Sequence, residues 1–415
     1  MTTPKRYLFA IIDGGGSVPP DMSVARALVN RGHEVRVLAD AVLAPDVEAT
    51  GATHVAWTRA PQRADLDPLS VVIQDWDART PFEAFARVRD GVICGPADLF
   101  AADVREELAR RPADVVVANI FVFGAMVAAE AEGLPTAVLV PNLLSLPGWG
   151  VPPLGPGLKP ARGPLGHARD AAIGLVMKRI FDKGLPALNA ARRENGVAPL
   201  DSVLHQYEHV DCVLMLTSRG FDYEGFSPPP NVHVVGPRLD DPAWAGDWTP
   251  PPGDEPLVLV GMSSTYMDHA GVLQRVASAL GDLPVRGLVT TGPSIGTDEI
   301  DAPPNVTVVE RAPHSEVLRQ ASAVVTHAGH GTVIKALAAG VPVVALPLGR
   351  DQLDNAARVQ HHGAGLRVKP KAGAEQIRAA VRRVLDEPSF AGMRSTRMES
   401  PSSTRYCFPP TLTIA

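Results

Sequence analysis

The chain has 415 residues, of which 45% are hydrophobic and 20% charged, and its formal net charge is −6. This length allows two globular domains of ordinary size, each with its own core. The mildly acidic charge argues against nucleic acid as the main partner, and no apolar run approaches the ~20 residues needed to span a bilayer. The three cysteines are far apart and lack metal-ligand spacing, which suits a reducing cytoplasm.

Apolar runs alternate with helical patterns in the first half, which is typical of parallel βαβ units. The first run, Tyr7–Ile12, follows basic residues, but Asp13 and three glycines end it too early for a signal peptide, so we interpret it as a buried strand. Later strands are predicted at Glu34–Ala39, Thr53–Trp57, Asp114–Ala118, Thr136–Val140 and Cys212–Leu216. Helices are predicted at Met22–Arg31, Ala101–Arg111, Phe123–Glu132 and, roughly, Ala168–Asn195.

The turn after the first predicted strand reads Asp13-Gly-Gly-Gly-Ser-Val-Pro-Pro. A dinucleotide-binding GxGxxG turn needs its third glycine for close packing of helix on strand, and Pro19 stands there, so we discount NAD. Asp13, at the tip of the strand, has two interpretations: a general base, or a cap that only stabilises the turn.

Two segments rich in proline interrupt the alternation. Leu143–Gly166 is too irregular for a helix or strand, and loops of this length in compact domains tend to be functional. Gly236–Pro256 combines prolines with acids and is predicted to be an exposed linker. We therefore predict a first domain at residues 1–236, a linker at 237–256, a second domain at 257–390 and an irregular tail at 391–415.

The second half repeats the alternation. Its strands are predicted at Leu257–Val260, Val285–Val289, Val306–Val309, Ala323–Thr326 and Val341–Leu346. Two doubly wound α/β domains in tandem place a cleft between the carboxyl edges of their sheets, where ligands bind in such folds.

The most informative segment is the turn His327-Ala-Gly-His-Gly-Thr332, which leads from a predicted strand into a helical pattern. Free N–H groups and the positive end of the helix dipole make such a turn an anion cradle. Gly329 and Gly331 allow close approach of the backbone, Thr332 is a candidate cap, and His327 can donate to a phosphate oxygen. The alternative is an ordinary turn in which the glycines only permit tight packing.

One strand later, Pro347 is followed by Asp351 and Gln352, a carboxylate and an amide suited to binding sugar hydroxyls. The cradle and this pair together predict a site for a diphosphate joined to a sugar. Asn355, one helical turn beyond Asp351, is a further candidate for phosphate contact.

The patterns His327-x-Gly-x-Gly-Thr332 and Pro347-x-x-x-Asp351-Gln352 resemble the UDP-glycosyltransferase-like family of inverting glycosyltransferases, in particular its bacterial natural-product members. The resemblance extends more weakly over the chain to about residue 390. It implies an α/β GT-B fold: two Rossmann-like doubly wound domains facing a central cleft, the first binding the acceptor and the second the nucleotide sugar.

The resemblance also implies roles for single residues. The turn from His327 to Thr332 would face the diphosphate, Asp351 and Gln352 the donor sugar, and Ala312 and His314 the nucleotide base, unless the last two only form a strand-to-helix turn. His330 falls at a variable position and is expected at solvent or near the acceptor. Hydroxyls after the first strand of the second domain either donate to the β-phosphate or sugar, or only cap the next helix: Ser263, Ser264 and Thr265.

Three positions depart from the family pattern. Ser17 stands where the family has a His or Asp as general base, and Asn119 where an Asp orients that His. Either Asp13 replaces the base, or the acceptor ionises readily and needs little help, or catalysis is lost. Lys335 stands near the position of a Glu that holds the ribose of UDP, which puts UDP in doubt and leaves room for a dTDP-deoxysugar.

We therefore expect an inverting, metal-independent glycosyltransferase with no cofactor, acting on a small hydrophobic acceptor such as a natural-product aglycone. Apolar residues of the proline-rich loop either line the acceptor site or pack the loop onto the domain: Leu143, Leu144, Leu146, Trp149, Val151 and Leu154. The alternatives are a nucleotide-sugar 2-epimerase and a non-catalytic partner that binds nucleotide sugar.

Overall fold

The structure is a computed structural model that describes residues 3–65 and 67–391. In this part of the chain, two parallel sheets follow one another, with helices on their faces. The first sheet has the strand order β3-β2-β1-β4-β5-β6-β7. Its strands are β1 (Arg6–Ala10), β2 (Glu34–Ala39), β3 (Thr53–Ala56), β4 (Val115–Asn119), β5 (Thr136–Val140), β6 (Cys212–Met215) and β7 (Val232–Val234).

The second sheet has the order β10-β9-β8-β11-β12-β13. Its strands are β8 (Leu257–Gly261), β9 (Arg286–Thr290), β10 (Val306–Val309), β11 (Ala321–Thr326), β12 (Val343–Ala345) and β13 (Gly365–Arg367). The expected fold class, two doubly wound Rossmann-like domains, is confirmed by this topology.

The helices lie between the strands in sequence. They are α1 (Val18–Val29), α2 (Ala44–Glu48), α3 (Pro81–Val88), α4 (Ala97–Arg110), α5 (Phe123–Ala131), α6 (Gly163–Asp182), α7 (Leu185–Glu194), α8 (Ala270–Gly281), α9 (His314–Val317), α10 (His330–Ala338), α11 (Gln352–His361), α12 (Ala374–Asp386) and α13 (Pro388–Ala391). None of the described helices is both long and apolar enough to cross a membrane.

The central strands are buried on both faces, which explains their continuous apolar runs. Every residue of β4 and of β8 is buried. Helix α5 packs closely on α4 because Gly124 has no side chain, and a Cβ there would lie 2.2 Å from the Ala97 carbonyl oxygen. Burial of the strand residues between helical layers supplies the main stabilisation of each domain.

The observed elements differ from the sequence predictions in three places. The helix predicted over Ala168–Asn195 is two helices, α6 and α7. The break falls at Gly184, which packs against Cys94 Sγ, and Pro186 is compatible only with the first turn of a new helix. Helix α6 already begins at Gly163, inside the segment predicted to be irregular. Strands β7 and β13 were not predicted, since each has only three residues and, unlike the equally short β12, includes a polar residue that interrupts the apolar run. Beyond Ala391, the predicted tail lies outside the described residues.

Both sheets reverse their strand order at one point, between β1 and β4 in the first and between β8 and β11 in the second. Ligands of doubly wound folds bind at this crevice beyond the carboxyl ends of the strands. Asp13 follows β1 and Asn119 ends β4, while Gly261 ends β8 and His327 follows β11. The fold therefore gathers most of the predicted site residues at the two crevices.

Candidate active site

The glycine turn that precedes α10 has the geometry of an anion cradle. Gly329 is the N-cap residue, with φ −59° and ψ 139°, and no side chain caps the helix. The first-turn N–H groups therefore have no partner within the helix. Ala328 has φ 69°, a left-handed conformation that costs free energy in a non-glycine residue and is typical of functional sites. The prediction that Thr332 caps the helix is wrong, because the helix already begins at His330.

His327 packs directly against Gly329. A Cβ at residue 329 would lie 2.5 Å from His327 Nε2, so only glycine leaves this ring in place. By contrast, a Cβ at residue 331 would meet nothing within 4 Å. Burial, with smaller contributions from nearby His269 and Arg350, lowers the pKa of His327 to about 3. The imidazole is therefore neutral at physiological pH and has one N–H to donate.

His269 is a second buried imidazole close to the cradle that the sequence analysis missed. It is the N-cap residue of α8, is fully buried, and neither ring nitrogen has a hydrogen-bond partner among the described residues. Burial lowers the pKa of His269 to about 4. No spacing motif marks this residue, so its position could not be recognised from the sequence.

The hydroxyl-rich loop between β8 and α8 contacts the first domain. Ser263 Oγ and Thr265 Oγ1 are 3.0 Å apart and hydrogen-bond to each other. They do not cap a helix, because α8 begins at Ala270. A Cβ on Gly15, whose φ is +66°, would lie 2.4 Å from Thr265 Cγ2 and 3.1 Å from Ser264 Oγ. The glycine-rich turn of the first domain thus closes over this loop.

Arg350 supplies a cation between the two domains. It has φ 54°, and its guanidinium donates to both oxygens of Asp75, at 2.7 and 2.8 Å, and to Thr265 Oγ1 at 3.1 Å. Our sequence analysis assigned this residue no role. Its left-handed backbone turns the side chain toward the cleft.

The acid and amide predicted to bind the donor sugar stand at the start of α11. Asp351 is the half-buried N-cap residue, and burial raises its pKa although Asn355 opposes this. Gln352 is buried, and its Oε1 accepts from the N–H groups of Leu348 (2.7 Å) and Gly349 (3.0 Å). In this structure Gln352 therefore holds the loop that carries Arg350.

Asn355 does not face open space. It is fully buried, and its two amide protons go to Ala328 O (3.0 Å) and Asp351 Oδ2 (2.9 Å). No amide proton remains for a phosphate, so the expected phosphate contact is wrong for this structure. Asn355 instead ties the cradle turn to Asp351.

His330 lies in the interior, and the expectation of a solvent position is wrong. Its Nδ1 is 3.3 Å from Asn355 Oδ1, its ring packs against Phe221 at 5.7 Å between centroids, and Nε2 has no hydrogen-bond partner in the described structure. Burial lowers the pKa of His330 to about 4.

The predicted base-binding corner contains a residue of the linker. Ala312 is buried, and His314 Nε2 lies 3.0 Å from Thr290 Oγ1. Lys335 Nζ contacts Asp241 Oδ1 at 2.5 Å, and Asp241 also accepts from the Ser315 N–H at 3.0 Å. Although burial opposes it, the Lys335 charge and these hydrogen bonds lower the pKa of Asp241. The unexpected lysine thus has a carboxylate partner.

At the crevice of the first sheet, both carboxylate oxygens of Asp13 accept hydrogen bonds. Its Oδ2 accepts from Arg63 Nη1 at 2.8 Å and its Oδ1 from the Gly15 N–H at 3.0 Å. Both carboxylate oxygens are therefore already bound by groups of the first domain. This geometry favours the cap interpretation of Asp13 over the base interpretation.

Asp21 lies near both Ser17 and Asn119, and the sequence analysis missed it. Asn119 Nδ2 donates to Asp21 Oδ2 at 2.7 Å, and Ser17 lies one helical turn before Asp21 at the start of α1. Ser17 Oγ and Asp21 Oδ1 are buried and have no hydrogen-bond partner among the described residues.

The apolar residues of the proline-rich loop mainly pack it in place. Leu143 joins a core cluster of the second sheet, whereas Leu144, Trp149 and Val151 join one of the first. The loop is also held by Asp354 of α11, which accepts from the N–H groups of Gly155 and Gly157 at 2.6 and 3.1 Å.

Within residues 3–65 and 67–391, no group of three or more His, Cys, Asp or Glu side chains is arranged to hold a metal.

Comparisons with known proteins identify the class to which the chain belongs. Residues 274–406 match the family model for the C-terminal domain of erythromycin biosynthesis protein CIII-like proteins. The chain is 31% identical over 410 residues to 4'-demethylrebeccamycin synthase from Lentzea aerocolonigenes, covering 93% of each chain.

Two solved structures share the fold. The glycotransferase of kitacinnamycin has a TM-score of 0.72 and 24% identity, with 95% of each chain covered. Spinosyn rhamnosyltransferase SpnG, complexed with thymidine diphosphate, has a TM-score of 0.64 and 19% identity, with 94% of each chain covered.

The two doubly wound sheets have the GT-B fold that the solved structures share. The chain belongs to the UDP-glycosyltransferase-like family of GT-B enzymes, among its bacterial natural-product members, and is a glycosyltransferase of the antibiotic-biosynthesis type.

Proposed function

We propose that the enzyme transfers a sugar from a dTDP- or UDP-sugar to a small hydrophobic acceptor, with inversion at the anomeric carbon and without a metal. The observation that carries the proposal is the uncapped N-terminus of α10, with Gly329 beneath the neutral His327 imidazole. Backbone N–H groups, the helix dipole and one imidazole N–H are suited to stabilise the charge that develops on a leaving diphosphate. The Arg350 guanidinium lies at the same crevice and adds a positive charge.

The placement of the two crevices supports inversion. The diphosphate side is the second-domain turn at residues 327–332, and the acceptor side is the first-domain edge with Ser17 and Asn119. Gly15 touches the Ser264–Thr265 loop, so the two sides meet across a narrow gap. An anomeric carbon bound in this gap has its leaving group toward the second domain and its attacking oxygen toward the first. Attack on the face opposite the leaving group inverts the configuration.

The nucleoside corner favours dTDP over UDP. Lys335 and Asp241 form an ion pair that is only 13% exposed on each side chain. With the carboxylate already bound by Lys335 and Ser315, fewer acceptor positions remain for the 2'-hydroxyl that a uridine ribose has and a deoxyribose lacks. The thymidine diphosphate in the structure of SpnG supports the same choice.

The acceptor is proposed to be a natural-product aglycone. The packed loop residues do not support this by themselves, since they serve the two cores. The support comes from the relative in Lentzea aerocolonigenes, which aligns over 93% of each chain and is named for rebeccamycin, a natural product.

Replacing His327 by Ala tests the cradle. We expect turnover to fall by about 100-fold or more, because one donor to the developing diphosphate charge is lost. Single-turnover rates with dTDP-glucose and UDP-glucose measure this, and the anomeric configuration of the product is read by NMR. Near-normal turnover of the variant would remove His327 from the mechanism, and a product that retains the donor configuration would disprove inversion.

Thermal shift with dTDP and UDP tests the donor. A ligand bound only by the native state raises the melting temperature, and at equal concentration the tighter ligand raises it more. We expect the larger shift with dTDP. A larger shift with UDP would contradict the assignment of the Lys335–Asp241 corner.

A further inference from the structure

The crevice of the first sheet contains a buried carboxyl group with one unsatisfied oxygen. Asp21 on α1 is fully buried. Its Oδ2 accepts from Asn119 Nδ2 at 2.7 Å, and its Oδ1 has no hydrogen-bond partner in the described part of the chain. An incompletely satisfied carboxyl group in a protein interior costs free energy, and such groups are concentrated at functional sites.

Asn119 is itself fixed so that its amide, and not its carbonyl, faces Asp21. Its Oδ1 accepts from the Phe121 N–H at 3.1 Å, which leaves Nδ2 to donate to the carboxyl group. The end of β4 therefore orients Asp21, and the replacement of an expected Asp by Asn119 provides a donor that a carboxylate could not.

Ser17 completes the group. It stands four residues before Asp21, at the start of the same helix, and residues with this spacing share one helix face. Its Oγ is buried and unpartnered in the described structure, although the residue as a whole is half-buried and lies nearer the cleft. Ser17 Oγ and Asp21 Oδ1 are not hydrogen-bonded to each other in this structure, so the hydroxyl has to rotate about its Cα–Cβ bond to meet the free carboxyl oxygen on the same face of α1.

The neighbouring carboxylates at this edge are already bound. Asp13 accepts from Arg63 and from the Gly15 N–H, and Asp40 accepts from the N–H groups of Asp13 and Arg63 at 2.8 and 2.6 Å. Of these three acids, Asp21 has the free oxygen.

We infer that Asp21 is the general base of the transfer, acting through Ser17 and positioned by Asn119. This inference rests on the proposed sugar transfer. The acceptor hydroxyl gives its proton to Ser17 Oγ while Ser17 gives its own proton to Asp21 Oδ1. The acceptor oxygen bonds to the anomeric carbon as the bond from that carbon to the diphosphate oxygen breaks. The electron pair leaves with the diphosphate, and the proton remains on Asp21.

The acidity of the group fits this role. Burial raises the pKa of Asp21 to about 8, and the hydrogen bond from Asn119 works in the opposite direction. A base with a pKa near the working pH accepts protons well, whereas an ordinary carboxylate is too weak. The rate with wild-type enzyme should accordingly rise with pH up to about pH 8, as Asp21 loses its proton.

Asp21→Asn tests the inference with nucleophiles that differ in their need for a base. The purified full chain is given dTDP-glucose or UDP-glucose with water, phenol or azide, and release of nucleoside diphosphate is measured. We expect the variant to lose about 100-fold or more with water and phenol, because general base catalysis contributes that much. Azide is an anion with no proton to lose, so its rate should stay near that of wild type. The pH dependence of the water reaction should also disappear.

Matched variants make the outcome decisive. Ser17→Ala should show the same selective loss, while Asp98→Asn, which removes one carboxylate from the first turn of α4, should leave all rates unchanged. Asp13→Asn should not show the selective loss. Equal losses with water, phenol and azide, or no loss at all, would overturn the role of Asp21. A wild-type enzyme that releases no diphosphate with any nucleophile would instead overturn the proposed function.

Discussion

Gly329 and Gly331 look equivalent in the sequence, but their surroundings differ. A side chain at 329 would displace the His327 ring, whereas there is open space beside 331. A close approach of ligand to backbone therefore depends on 331, and the integrity of the cradle depends on 329.

This difference gives a paired prediction. Gly331→Ala should stabilise the free protein by about 0.5–1 kcal/mol, because alanine favours the helix, yet weaken dTDP binding as the new methyl group meets the ligand. Gly329→Ala should lower both stability and affinity. Chemical denaturation and calorimetry measure the two quantities. Unchanged dTDP affinity in Gly331→Ala would mean that no phosphate approaches this part of the turn.

At the residue scale, the sequence located motifs only where the signal is local. The cradle turn and the Asp351–Gln352 pair are contiguous motifs, and both lie at the crevice where they were expected. Asp21 was missed because its partner Asn119 is 98 residues away, and the pairing of Lys335 with Asp241 spans 94 residues. Such contacts depend on the fold and have no local signature.

At the scale of elements, α11 joins the second domain to the first. Its Arg358 donates to Asp222 at 2.7 and 3.0 Å, both side chains are almost completely buried, and the guanidinium lies 4.3 Å from the centre of the Tyr223 ring. The first turn of this helix thus carries Asp351 and Gln352, and its later turns make the domain contact.

Arg358→Leu should destabilise the protein by about 3–5 kcal/mol, because it leaves the buried Asp222 carboxylate unpaired. The double variant Arg358→Leu/Asp222→Asn should recover part of this loss, since no uncompensated charge remains. Urea unfolding of the two variants and the wild type measures the recovery. A double variant no more stable than the single one would mean that packing of Arg358 on Tyr223 matters more than its charge.

Elements were predicted well where the hydrophobic period was regular. All strands of four or more residues in the described structure were anticipated, whereas β7 and β13 are too short to give a pattern. The division of the long predicted helix into α6 and α7 depends on the packing of Cys94 against Gly184, a contact between segments that are distant in sequence.

At the scale of the whole molecule, buried titratable groups set a pH range of stability. Burial raises the pKa of Asp21 to about 8 and those of Asp40 and Asp354 to about 6. Because these folded-state values are above the ordinary one, the stability they contribute is complete at low pH and is lost as pH rises through them. Burial lowers the pKa of four histidines to about 3 or 4: His269, His314, His327 and His330. The stability that these neutral histidines contribute is lost as pH falls below about 6.5.

We therefore expect the free energy of unfolding to be highest near pH 6.5 and to decline on both sides, by up to about 1.4 kcal/mol per pH unit for each group. Urea denaturation across the range measures the curve. In Asp21→Asn the alkaline side should be flatter and the acid side steeper, because the raised pKa of Asp21 lowers stability over the whole range from about pH 4 to about pH 8. A curve for the variant that is parallel to wild type would show that Asp21 does not carry a raised pKa.

Two consecutive residues of the segment between the sheets are bound to opposite domains. The carboxylate of Asp240 accepts from Ser23 on α1, and that of Asp241 accepts from Lys335 on α10. One peptide unit therefore sets the spacing between the helix that carries Ser17 and Asp21 and the helix that begins at the cradle. A hybrid enzyme that joins domains of two relatives would have to keep this dipeptide together with its partners Ser23 and Lys335. Moving the junction by a single residue would change the width of the gap in which the sugar is transferred.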